Sequence, residues 1–175
     1  MLMLLRQIAA ILALPAMVTI AIPIAIARPT GLGAWRPASP LDVAMVIGGA
    51  VVGIAGVALF ASSVALFWTR GRGTLAPWDP PRQFVAAGPY RIVRNPMITG
   101  VVLVLVGEAL AFRSAPLGWW AALFAVINAT YIPLVEEPQL RLRFGQPYDE
   151  YCRHVPRILP RLRPWTPDQA DGGRS

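Results

Sequence analysis

The sequence predicts an all-α integral membrane bundle of about four transmembrane helices, closed by an amphipathic C-terminal segment on the cytosolic side. Three observations predict it. Of the 175 residues, 55% are hydrophobic and only 14% charged, too apolar a balance for an ordinary soluble domain. The apolar residues also fall in runs close to the roughly 20 that a helix needs to cross the hydrocarbon core. The basic residues, finally, sit between those runs. A single membrane domain is expected over 1–164, followed by a polar, disordered tail over 165–175.

The first span is expected over 8–27, kinked by Pro15 and Pro23, which membrane helices tolerate when neighbours satisfy the freed carbonyls. The rival reading of this stretch is a secretory signal, with Arg6 as its charged start and Ala25-Ile26-Ala27 as a cleavage site. A Pro/Gly-rich connector leads to the second span, 41–68, where Asp42 suits the first turn of a helix. Gly49, Gly53 and Gly56, with Ala50 and Ala61, offer the small faces by which membrane helices approach closely. A nucleotide-binding glycine loop is excluded because no G-x-G-x-x-G follows a strand pattern. Trp68 and Trp78 flank the exit of this span as an interfacial belt would.

Residues 69–95 form a long polar connector with prolines at 77, 80, 81 and 89. The third span is expected over 96–113 and the fourth over 117–135, and the Ser114-Ala115-Pro116 turn between them is short enough to force an antiparallel hairpin. All 16 basic residues are arginine. With a cytoplasmic amino terminus, 13 arginines lie inside and three, Arg28, Arg36 and Arg113, outside, which orients both termini and the 69–95 connector to the cytosol. The net charge of +7 is therefore read as attraction to membrane lipids, and nucleic acid is not expected as a partner. One cysteine, Cys152, and one histidine, His154, exclude an internal disulfide and a Cys/His metal centre.

The tail, 136–164, carries Leu140, Phe144, Tyr148, Tyr151 and Val155 at spacings of four, four, three and four. That is the stripe of an amphipathic helix, interrupted by Gly145 and Pro147, that lies along the membrane or folds over the mouth of the bundle.

Two stretches carry chemistry. Around Gly88-Pro89, a turn leads to Pro96, which suits a first helical turn, with Asn95 placed to cap it. Backbone N–H groups, the positive helix end, Arg91 and Arg94 are thereby expected to face one spot that favours an anion. Glu136 and Glu137 leave the fourth span at the same membrane level, and hairpin geometry should bring the two stretches together. Carboxylates beside arginines and free N–H groups suit a ligand that carries both signs. The plain alternative is a rim of solvated charges balancing one another. Glu108, an ionisable group inside a span, is expected to act as a structural partner or to line an acceptor tunnel.

Residues 88–97 (Gly-Pro-Tyr-Arg-x-Val-Arg-Asn-Pro-Met), Gly-Glu-Ala-Leu at 107–110, Glu-Glu-Pro-x-Leu from 136 and Phe-Gly-x-x-Tyr-x-x-Tyr-x-x-x-Val-Pro-Arg ending at 157 resemble the isoprenylcysteine carboxyl methyltransferase and phospholipid methyltransferase family. The resemblance covers about half the chain in order. It implies a small integral enzyme of a bacterial inner membrane that uses S-adenosylmethionine. By position it implies cofactor contacts at Tyr90, Arg94, Asn95, Pro96, Gly100, Glu136, Glu137, Tyr148 and Tyr151, with Arg157 near the acceptor. The family usually has His where this chain has Asn95, and often Tyr where it has Ile98; Asn hydrogen-bonds but does not titrate near neutrality.

With one histidine to serve as base, the favoured acceptor is pre-ionised. A carboxylate on a lipophilic or lipidated molecule fits, oriented by the catalytic candidates Arg157 or Arg153. The alternatives are a nicotinamide-dependent membrane reductase and a non-catalytic membrane scaffold.

Overall fold

The computed structural model describes residues 13–32, 35–70, 86–158 and 160–166, and every regular element among them is helical. The chain runs α1 (Ala13–Ala27), α2 (Pro40–Arg70), a single 3₁₀ turn (Gly88–Arg91), α3 (Pro96–Ala111), α4 (Ala115–Tyr131), α5 (Glu137–Phe144) and α6 (Gln146–His154). Two stretches are long and apolar enough to cross a membrane, Pro40–Leu66 and Ala115–Phe144; α1 and α3 are apolar but shorter. Residues 1–12, and with them Arg6 and the first five residues of the expected first span, lie outside the described residues. So do Trp78, most of the 69–95 connector, and 167–175.

The helix pair α2/α3 is the most extensive interface and is built on glycine. A Cβ added at Gly107 would lie 2.6 Å from the Gly49 carbonyl oxygen, and one at Gly100 2.8 Å from that of Gly56. The two backbones touch, as the small faces of the second span anticipate. At one end of the pair, Ser39 and Asp42 cap α2 reciprocally: the Ser39 N–H donates to Asp42 Oδ2 at 2.9 Å, and the Asp42 N–H to Ser39 Oγ at 3.2 Å. Arg113, just past α3, pairs with Asp42 and clamps that end.

Ser114 then caps α4 by accepting from the Leu117 N–H at 3.4 Å, and the hairpin folds α4 back along α3. Val101, Leu105 and Ala121 form the buried centre, packed by Phe60, Trp120, Phe124 and Val18.

Two prolines are accommodated by π turns. In α1 the turn covers Met17–Ala21, and the Ile22 N–H donates to the Met17 carbonyl instead of that of Val18. Pro23 has no N–H to offer Val18, so that carbonyl is orphaned within the helix. Trp120 Nε1 donates to it at 3.1 Å, tying α4 to α1. A second π turn, Ile132–Glu136, has the same logic: the Glu137 N–H goes to the Ile132 carbonyl, and Pro138 cannot serve Pro133.

The helix that carries the expected fourth span, 117–135, does not stop at 135. The helical path continues through Glu136, Glu137 and Pro138 to Phe144, because widening by one residue absorbs the prolines without breaking the helix. Gly145, at φ 60°, ends it. The stripe then closes on itself, with Tyr148, Tyr151 and Val155 buried against Leu140 and Phe144.

Candidate functional site

The rim turn and the acidic pair meet. Val93 and Val155 are each 1% exposed, and Pro96 is also fully buried, so this junction is a second packed centre. Around it Arg94 is the hub. Its backbone N–H donates to the Pro156 carbonyl at 3.0 Å, Nε to the Val155 carbonyl at 2.7 Å and Nη2 to the Cys152 carbonyl at 2.8 Å. These are carbonyls at or just past the C-terminal end of α6, where a cation is favoured. Its remaining Nη1 donates to Glu137 Oε1 at 3.0 Å.

Glu137, 3% exposed, also holds Arg157 through two parallel bonds, Nε to Oε1 at 2.8 Å and Nη2 to Oε2 at 2.7 Å. That fork is the strong geometry for an arginine and a carboxylate. It keeps the Arg157 charge in place and moves its pKa upward, Glu137 being the main cause.

The tail crosses the rim as a strap. The Arg161 N–H donates to the Ile92 carbonyl at 3.0 Å and the Trp165 N–H to the Arg91 carbonyl at 2.9 Å, while Arg91 Nε donates to the Trp165 carbonyl. Trp165 stacks on His154, with centroids 5.6 Å apart, and tilts against Tyr151 at 5.8 Å. Tyr151 donates its hydroxyl to the Tyr90 carbonyl at 2.7 Å. Burial pushes the phenols of Tyr90, Tyr148 and Tyr151 above their ordinary 10.0, so all three are neutral donors rather than bases.

Several of the expected site residues have partners of their own. Arg94 does not present an open anion site, since backbone carbonyls and Glu137 take all three of its guanidinium nitrogens, and Arg91 gives Nε to the Trp165 carbonyl. Asn95 occupies the position before α3, but at ψ 66° its side chain makes no capping bond, so among the described residues the first turn of α3 has no side-chain cap. Gly100 is turned to α2, where Gly56 and Phe60 leave no room beside it, which gives it a packing role. Pro96 is buried in the junction. Glu137 serves the architecture.

Glu136 differs from its neighbour. It is half-buried at the end of the widened turn and makes no hydrogen bond or ion pair among the described residues. Its position is next to the Pro133 carbonyl, which lacks an intrahelical donor. Two sets of groups are thus left open at this rim: acceptors, in Glu136 and Pro133, and donors, in the Asn95 amide and the uncapped first turn of α3. Arg153 is exposed on α6. Sequence reasoning offered a tail folded over the mouth of the bundle as one possibility but not the backbone bonds that fix the strap. Its only local signal is Val-Pro-Arg at 155–157, a buried β-branched residue followed by a proline that ends α6.

Residues 75–147 match the family model described as phospholipid methyltransferase. A stretch of 77 residues, 42% of this chain, is 38% identical to methanethiol S-methyltransferase 2 of Bradyrhizobium diazoefficiens. The match covers 27% of that relative, so the chain spans about a quarter of its length there. No solved structure matches.

Proposed function

We infer, from a chain whose residues 75–147 match the phospholipid methyltransferase family model, an S-adenosylmethionine-dependent methyltransferase that acts on a lipophilic, carboxylate-bearing acceptor at the cytosolic membrane face. The observation that carries this reading is the single rim formed by Arg94, Glu137 and Arg157, which leaves Glu136 and Asn95 unengaged beside it.

The residues fit the cofactor's chemistry. Its ammonium and ribose hydroxyls need acceptors, which Glu136 and the Pro133 carbonyl provide; its carboxylate needs donors, which Asn95 and the first turn of α3 provide. When bound, S-adenosylmethionine supplies a methyl group on a positively charged sulfur, which an ionised acceptor attacks in line. The chain's own contribution is alignment and the exclusion of water. Tyr90, Tyr148 and Tyr151 wall the site as neutral groups. Arg157, held by Glu137 through two of its nitrogens, keeps Nη1 to orient an acceptor carboxylate.

In this reading α1 and α3 also cross the membrane as the shorter members of a four-span bundle, and the 13-to-3 arginine imbalance supports a cytosolic rim and tail. A second reading, a thiol acceptor, draws on the relative, whose name states S-methylation of methanethiol.

Calorimetric titration of the purified protein tests the cofactor. Glu136→Gln should weaken S-adenosylmethionine binding by about tenfold or more, the scale of one hydrogen bond to a charged group. NADPH should give no heat. Unchanged affinity in the variant, or binding of NADPH in its place, would remove the assignment. Labelled S-adenosylmethionine with a native lipid extract separates the acceptors: a carboxyl methyl ester releases its label in base, and a thioether retains it.

A further inference from the structure

The sequence holds one triplet twice, Arg141-Leu142-Arg143 on α5 and Arg161-Leu162-Arg163 on the strap. Their leucines are the two most exposed large hydrophobic residues among those described, at 90% and 101%. Ile158, on the strap four residues before Leu162, is 63% exposed. A single outward leucine needs no explanation, but the same aliphatic turned fully outward between two cations at both places does.

Height along the bundle decides what such a surface meets. α4, the second π turn and α5 form one helical path, Ala115–Phe144, long and apolar enough to cross a membrane. Counted from Ala115 at about 1.5 Å per residue, Glu137 lies roughly 33 Å along it and Leu142 roughly 40 Å. A hydrocarbon core is about 30 Å thick, or about 40–45 Å with both headgroup layers. Leu142 therefore stands in the headgroup layer, beyond the exposed apolar side that ends at Leu134 and Val135.

Glu137 fixes the strap at the same level, because it holds Arg157 Nη2 at 2.7 Å and Ile158 is the next residue. Further on, the Arg161 and Trp165 N–H groups donate to the Ile92 and Arg91 carbonyls. Those donors face the rim. Pro160 and Pro164 have no N–H to draw the other edge back onto the protein, and Leu162 and Arg163 are left outside. Arg163 makes no hydrogen bond or ion pair among the described residues, and Arg161 commits Nη1 to the His154 carbonyl at 2.6 Å. Guanidinium donors remain for phosphate oxygens while the aliphatic stems and leucines enter the interface.

We propose that the two Arg-Leu-Arg triplets, with Ile158, form a docking face for an anionic bilayer surface, and that this contact clamps the strap closed over the rim. The leucines enter the interface and the arginines take lipid phosphates. A lipid surface that binds the closed strap better than the open one shifts the strap toward closure. The clamp acts whether or not the rim holds a methyl donor, so it stands or falls apart from the methyltransferase reading.

The test uses the full chain in nanodiscs of phosphatidylcholine alone or of phosphatidylcholine mixed with phosphatidylglycerol. Trypsin cleavage after Arg143 reads the α5 triplet and cleavage after Arg161 reads the strap, each followed by peptide mass spectrometry. With fast opening and closing, cleavage tracks the open population. Both cuts should be about tenfold slower in the anionic discs, and Arg163→Gln should reduce that ratio at Arg161 to about twofold, the scale of one charge near such a surface. Leu162→Ser should quicken the Arg161 cut in anionic discs by about fivefold, with an unchanged melting temperature in detergent. Equal cleavage in the two kinds of disc, or an unchanged ratio in Arg163→Gln, would overturn the docking face. Protection after Arg143 without protection after Arg161 would overturn the clamp. Soluble glycerophosphate protecting the protein in phosphatidylcholine discs as well as the anionic lipid does would overturn the assignment to a bilayer surface.

Discussion

Arg94 Nη1 lies 3.0 Å from Glu137 Oε1, joining the turn that opens α3 to the helix that follows the second π turn, 43 residues away in sequence. Glu137 is 4% exposed at its side chain and serves two arginines, so it stands at the centre of the rim. Removing it strands both cations.

Glu137→Ala should therefore destabilise the folded protein by about 3–5 kcal/mol, the usual cost of leaving a buried charge without its partner. Arg157→Ala should cost less, because that side chain is 38% exposed and water can replace part of what it loses. Thermal melts in detergent give the order, and limited trypsin digestion after Arg161 reports release of the strap. The reverse order would show that Glu137 is not the centre of the rim.

Gly107→Ala should cost about 1–3 kcal/mol, the range for an overpacked core, because the new methyl meets the backbone of Gly49 and Gly53 and neither can step aside. Gly118→Ala is the control. Nothing lies within 4 Å of its Cβ, and it should be neutral or stabilising by up to about 1 kcal/mol. Melting temperatures of the two variants, measured in the same detergent, check the contrast.

Trp120→Phe keeps the packing and loses the donor to Val18. The carbonyl that Ile22 and Pro23 both leave unserved then has no partner, at a cost of about 1–3 kcal/mol. Hydrogen exchange should quicken in α1 before it does in α3. Uniform exchange in the two helices would mean that the indole bond is dispensable.

Burial is the main cause that raises the Tyr151 phenol, and its hydroxyl is also committed to the Tyr90 carbonyl. A group whose folded pKa lies above its unfolded value stabilises fully below the unfolded value, here 10.0, and loses that contribution as pH rises past it. Stability from this residue should be flat through neutrality and fall above pH 10. Tyr151→Phe should be less stable at neutral pH by about 1 kcal/mol, for the lost bond, and should show a shallower alkaline decline. Parallel alkaline curves for the two proteins would refute it.

Much of the fold was legible because its causes are local. The apolar runs locate α2, α3 and α4 to within a few residues, and the glycines of 49–56 announce the close helix pair that Gly100 and Gly107 complete. The tail stripe from Leu140 to Val155 was also legible, since helical spacing places those residues together whatever they pack against. The site was legible only as a meeting place. Asn95 has a capping identity and does not cap, and Arg91 and Arg94 look like an anion trap, but Arg91 bonds a carbonyl of the strap and Arg94 bonds Glu137 and carbonyls at the end of α6.

By itself, then, the sequence determined that this protein is helical and membrane-embedded, with a rim turn and an acidic pair near one level. Those properties sum over neighbouring residues and survive ignorance of the rest. Tertiary structure alone decided that Glu137 is bound by two arginines while the adjacent Glu136 is left open, and that Trp120 serves a carbonyl 102 residues away. Adjacent glutamates are chemically identical in sequence. A helical step of about 100° between them turns one into the packed junction and the other out of it, and only the positions of the surrounding helices fix which is which.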